Sequence, residues 1–103
     1  MKKAIIEPRC IGIGEAREKL LTGGSIQIID VRSHEEFAEK HIPEAINIPL
    51  DDLEHFFSKL DKNLLFVTAC GKGGGRSSKG AEILREGGFR AAWLSGGTFG
   101  WFD

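Results

Sequence analysis

Cysteine is scarce in this chain of 103 residues: there are two, Cys10 and Cys70, and proline occurs three times. Two cysteines make no disulfide framework, and no CxxC-type pair offers metal-ligand spacing. So few prolines, set against 14 glycines, exclude a collagen-like or linker composition. A dominant sign of charge is missing too. Fourteen Lys and Arg against fifteen Asp and Glu leave a net charge of -1, which argues against a general binder of nucleic acid or of membrane surfaces. No apolar run reaches the length that spans a membrane. At the N-terminus, MKKAIIEPRC carries two lysines, but Glu7, Pro8 and Arg9 interrupt before a signal-peptide core can form. These absences predict a soluble chain in a reducing, cytoplasmic compartment, where a reactive free thiol is permitted.

What is present describes a globular chain. Hydrophobic residues make up 41% and charged residues 28%, which leaves a disordered chain out. The length fits one domain over residues 1–103. Apolar runs alternate with helix-like stretches. Strands are predicted around Cys10 to Ile13, at Ile26 to Ile29, at Ala45 to Ile48, at Leu64 to Thr68 and at Ala91 to Leu94. A helix over Glu15 to Leu21 follows the first. Ser33 and Glu36 form a capping box for a helix over His34 to Lys40. Asp51 or Asp52 is predicted to cap a helix whose apolar face carries Leu53, Phe56, Phe57 and Leu60. Ser77 or Ser78 is predicted to open a helix over Lys79 to Glu86, closed by Gly87 and Gly88. Alternating strands and helices imply an α/β fold with a largely parallel sheet, and such sheets bind ligands beyond the carboxyl ends of their strands.

Glycine is about twice as frequent as in an ordinary chain, where it is roughly 7%, and four of the 14 lie in one loop. That loop, TACGKGGGRSS from Thr68 to Ser78, begins with a cysteine at the end of the most apolar strand. Gly71, Gly73, Gly74 and Gly75 let successive main-chain N–H groups converge into an anion-binding nest. The helix that follows adds its positive N-terminal end. Lys72 and Arg76 stand close by. These surroundings favour the thiolate of Cys70 over the thiol, so Cys70 reads as a nucleophile toward an anionic substrate. From Cys70 to Arg90 there are five bases and two acids, a basic patch scaled to a small anion. A nucleotide-binding P-loop places its Lys after the last Gly; here Lys72 precedes the Gly run.

Three segments together resemble the rhodanese family. Asp30-Val31-Arg32-Ser33-His34-Glu35-Glu36-Phe37 with His41-Ile42-Pro43-Glu44-Ala45-Ile46-Asn47-Ile48-Pro49 looks like the family's motif DVR…EF…GHIPGAINIP. Cys70 to Ser77 looks like its active-site loop, and Leu94-Ser95-Gly96-Gly97 with Trp101 like its LxGG…W motif. The resemblance implies a five-stranded, mainly parallel sheet flanked by helices on both faces. It also implies a sulfurtransferase that carries sulfane sulfur on Cys70 as a persulfide. Gly71, Gly73, Gly74, Gly75 and Ser77 would line the site, and Lys72 and Arg76 would hold an anionic donor such as thiosulfate. A thiol, cyanide or a protein would accept the sulfur, and no cofactor is implied. The chain departs from the pattern at Lys40 and Glu44, which replace glycines, and in its loop length. Arg76 is six positions after Cys70, the C-x5-R spacing of rhodanese-fold phosphatases and related arsenate reductases, although Ala69 stands where those phosphatases carry His. A non-catalytic sulfur-relay or binding module is the third reading.

Other residues are read structurally. Asp30 and Arg32, just after a strand, are expected to form an ion pair or bind loop backbone at the edge of the site. His34 and His41 have no partner at metal spacing, so zinc is not expected. His55 is expected in solvent and Cys10 in a buried edge strand. Trp93, Phe99, Trp101 and Phe102 supply either core or a hydrophobic wall at the pocket mouth.

Overall fold

The computed structural model describes residues 9–103. The segment read above against a leader peptide lies largely outside them. Five strands, β1 (Cys10–Ile11), β2 (Ile26–Asp30), β3 (Ala45–Asn47), β4 (Leu65–Ala69) and β5 (Arg90–Leu94), form one sheet in the order β1-β5-β4-β2-β3. Every neighbouring pair is parallel. The β-branched and aromatic runs at β2 and β4 suit a sheet covered on both faces, where strands need no polar alternation.

Among the described residues four α-helices accompany the strands: α1 (Ile13–Leu21), α2 (His34–Glu39), α3 (Gly75–Glu86) and α4 (Gly97–Trp101). Residues Leu50–Lys59 form a 3₁₀ helix. Successive strand residues point to opposite faces, and the core divides accordingly. On one face Ile28, Val67, Ala92 and Leu94 pack with Ala16 of α1 and Trp101 of α4. On the other Ile29, Phe66 and Ala91 pack with Leu53, Ala81, Leu84 and Phe89. Phe89 meets Phe57 and Phe66 at ring-centroid distances of 5.1 and 5.7 Å.

Three local expectations are corrected. Asp51 and Asp52 do not cap a helix: the segment begins at Leu50 directly after Pro49 and has no side-chain cap, so both carboxylates sit inside its first turn. Of its apolar residues only Leu53 is fully buried, and Phe56 is exposed. α3 starts at Gly75, two residues before Ser77, with Gly74 at its N-cap, because the glycines of the loop themselves enter the helix. α4 has no local signal in the sequence: GTFGW has two glycines in five residues and little intrinsic helix propensity. Ser33 and Glu36 do form the capping box of α2.

The strand order fixes where a ligand can bind. From β2 the chain moves outward to β3, and from β4 it moves the opposite way to β5. β2 and β4 are neighbours, with Asp30 opposite Ala69. Their outgoing loops therefore diverge and leave a crevice at the carboxyl ends of these two strands, the topological switch point of the sheet.

Candidate active site

Cys70 occupies that crevice, one residue beyond β4. It is buried, at 6% exposure, and it is a free thiol. Its Sγ lies 3.2 Å from the Gly74 carbonyl oxygen and 3.4 Å from Ser77 Oγ. The fully buried Ser77 hydroxyl donates to the same Gly74 carbonyl at 2.8 Å. Thr68 Oγ1 donates to the Ser77 carbonyl at 2.6 Å and so ties β4 to α3 beneath the loop. The chain thus turns back over the sulfur between Cys70 and Ser77.

Glycine is what permits that turn. Gly73, Gly74 and Gly75 have φ of +98°, +73° and +48°, conformations that side chains oppose. The outcome is a run of main-chain donors. Among the described residues, no N–H of the six residues from Gly71 to Arg76 is hydrogen-bonded. The C-terminal segment holds the start of the loop. Thr98 and Phe99 N–H donate to the Cys70 and Gly71 carbonyls at 2.8 and 3.0 Å. The approach is so close that a Cβ on Gly97 would lie 2.6 Å from both carbonyl oxygens. The Phe99 ring, half exposed, covers Gly71 and lies 5.9 Å from the Arg32 guanidinium. Phe99 thus stands half exposed over the start of the loop, whereas Trp101 is buried in the core.

Asp30 and Arg32 form the expected ion pair. Arg32 Nη2 is 2.8 Å from Asp30 Oδ2, and both residues are buried. The hydrogen bonds to Asp30 raise the Arg32 pKa above its usual value. Arg32 also donates to the Lys40 carbonyl at 2.7 Å, which anchors the end of α2. Lys72 is exposed on the loop. Arg76 reaches away from the loop to Glu36, with Nη1–Oε1 2.9 Å and Nη2–Oε2 3.1 Å. That contact was not read from the sequence, where Glu36 served only as a cap. The signal was present: a Glu at the third position of a helix that follows β2 at the switch point faces the loop that follows β4.

The histidines have local partners. His34 Nδ1 is 2.7 Å from Asn47 Oδ1, and His41 Nδ1 is 2.7 Å from the Phe37 carbonyl. Among the described residues no group of three or more His, Cys, Asp or Glu could hold a metal ion. Cys10 is exposed, contrary to the burial expected from its apolar neighbours. β1 has only two residues and pairs on one side alone, so the Cys10 side chain is left uncovered while Ile11 is buried.

The model of the rhodanese-like domain matches residues 14–103. The chain belongs to the rhodanese family. Among relatives, the thiosulfate sulfurtransferase GlpE of Shewanella oneidensis is 34% identical over 80 residues, covering 77% of this chain and 78% of that protein. The protein named HIGH ARSENIC CONTENT 1, mitochondrial, of Arabidopsis thaliana is 31% identical over 113 residues, covering 98% of this chain and 66% of the relative. The crystal structure of a rhodanese-like domain protein from Staphylococcus aureus is 37% identical, with a TM-score of 0.82 and 92% of each chain covered. The all-parallel five-stranded sheet is therefore the rhodanese fold.

Proposed function

We propose that this rhodanese-family chain is a sulfurtransferase with Cys70 as its nucleophile. The observation that carries the reading is the run of six unpartnered N–H groups that begins beside a buried cysteine. Such donors stabilise negative charge on sulfur in a site with little water. In the first half-reaction the Cys70 thiolate attacks the outer sulfur of thiosulfate. The new S–S bond forms as the old one breaks, and sulfite leaves with the electron pair. In the second, a thiophile such as cyanide or a thiolate takes the outer sulfur, and Cys70 returns as thiolate. The persulfide anion is the species that the amides of Gly71, Lys72, Gly73, Gly74, Gly75 and Arg76 would hold. The Ser77 hydroxyl, now directed at the Gly74 carbonyl, can turn its proton toward sulfur. Lys72 would attract the sulfonate end of the donor.

Treatment with thiosulfate should add one sulfur atom to the intact protein by mass spectrometry, and a Cys70→Ser variant should gain none. No adduct, together with no thiocyanate formed from cyanide, would count against the reading. The C-x5-R spacing favours a second reading, an enzyme acting on a tetrahedral oxyanion. Hydrolysis of an aryl phosphate, or reduction of arsenate in the presence of a thiol, would support it in place of the first.

A further inference from the structure

Among the ion pairs of the described residues, Arg76–Glu36 differs in kind. It joins elements 40 residues apart in sequence and uses both terminal nitrogens of the guanidinium. Lys79–Glu82, by contrast, is a single 3.7 Å contact within one helix. The Glu36 carboxylate is also held from behind. Its Oε1 accepts from Ser33 N–H at 3.0 Å, as the α2 capping box requires, and also from Ser33 Oγ at 3.1 Å. The carboxylate therefore does not follow the arginine; the arginine is brought to a fixed acceptor at the rim of the crevice. The two parallel N–H bonds it gives to Glu36 are the fork that a sulfate, phosphate or arsenate would need. The pair also removes one positive charge from the rim and leaves Lys72 as the loop's cation without an ion-pair partner among the described residues.

We infer that Glu36 is a specificity-determining residue: by holding Arg76 it denies the guanidinium fork to oxyanions that must seat their oxygens in the loop, such as sulfate, phosphate and arsenate, and leaves the loop to a single sulfur atom, the sulfonate of a donor staying outside at Lys72. The inference rests on reading the Cys70 loop as an anion site. A tetrahedral dianion can recruit Arg76 only by displacing Glu36, whereas the persulfide needs the main-chain amides and not the guanidinium fork. The C-x5-R spacing then coexists with sulfur chemistry, because the arginine of that motif is already occupied by an acid from another element.

The test is protection of Cys70 from iodoacetamide by inorganic sulfate, scored at the Cys70 peptide by mass spectrometry because Cys10 is exposed as well. Glu36→Gln keeps a side-chain acceptor at the third helical position and so preserves the cap, while the charge that holds Arg76 is gone. The half-protecting sulfate concentration should fall about fivefold in E36Q, the size expected from one favourable exposed ion pair. The same substitution made together with Arg76→Ala should give no such fall relative to R76A alone. High salt should shrink the difference between E36Q and the unsubstituted protein, because the pair is exposed and screened. The inference is overturned if sulfate protects neither protein, if E36Q leaves the half-protecting concentration unchanged or raises it, or if the fall persists without Arg76. A protein that forms no persulfide but shows the E36Q shift would lose the sulfur-transfer reading and keep this one.

Discussion

The Glu36 carboxyl is held down at about 2 from its ordinary 4.5, first by the Arg76 guanidinium and then by the Ser33 N–H. A carboxylate whose folded value is depressed adds stability above its unfolded value and loses it as pH falls through the folded one. The contribution of Glu36 is therefore complete above about pH 4.5 and fades toward pH 2. The group is well exposed, so solvent screening keeps the effect small, within about 1 kcal/mol. Urea midpoints of the unsubstituted protein and E36Q should differ at pH 6 in favour of the former and converge as pH is lowered through 4 toward 3. A difference that stays constant across that window would place the effect in the cap and not in the ion pair. Thr98 offers the opposite case. Its hydroxyl is fully buried and, among the described residues, hydrogen-bonded to nothing. Thr98→Val keeps the shape and removes a polar atom that desolvation penalises, so it should stabilise by about 1 kcal/mol in urea unfolding. A loss of stability instead would mean that packing around the hydroxyl outweighs its desolvation.

At the scale of elements, the cysteine loop and α4 act as one unit, since α4 donates to the carbonyls at the start of the loop. The glycines of the loop are not equivalent. A Cβ on Gly75 meets nothing within 4 Å, so Gly75→Ala should cost only the left-handed backbone term, about 1 to 2 kcal/mol. A Cβ on Gly73 would lie 2.8 Å from Gly96 N and 3.1 Å from the Leu94 carbonyl oxygen, main-chain atoms that cannot swing aside as a side chain could. Gly73→Ala should therefore destabilise by clearly more than Gly75→Ala and should slow persulfide formation, whereas Gly75→Ala should retain it. Equal losses at the two positions would mean that the contact with Gly96 does not hold the loop in place. These contrasts mark what was legible in the residues. β2, β4 and the α2 capping box were readable because β-branched runs and the Ser-x-x-Glu spacing are local signals. α4 was not, because what makes GTFGW helical is its docking on the Cys70 and Gly71 carbonyls and the burial of Trp101. The position of Cys70 followed from a general rule about parallel sheets. The engagement of Arg76 did not, because it depends on two loops 40 residues apart diverging at the same crevice.

Over the whole molecule, the site sits where two cores meet. Cys70 packs with the apolar cluster of one face, and the helix that clamps its carbonyl is rooted by Trp101 in the cluster of the other. The sheet between the clusters couples them, since β2, β4 and β5 each serve both. Trp101 is buried, with the Arg17 guanidinium 4.7 Å from its ring centroid. Trp101→Ala should cost about 3 to 5 kcal/mol, a large share of the roughly 5 to 15 kcal/mol that holds a domain of this kind folded. Two tryptophans are present, so in that variant Trp93 remains as a probe, and it packs against the opposite cluster. If the faces fold as one cooperative unit, the Trp93 fluorescence transition should move to lower urea by the full amount, and Cys70 should react faster with iodoacetamide in parallel. A Trp93 transition that stays in place while Cys70 becomes reactive would mean that α4 and the loop can detach alone. Access to Cys70 would then be controlled by a local opening and not by the stability of the sheet.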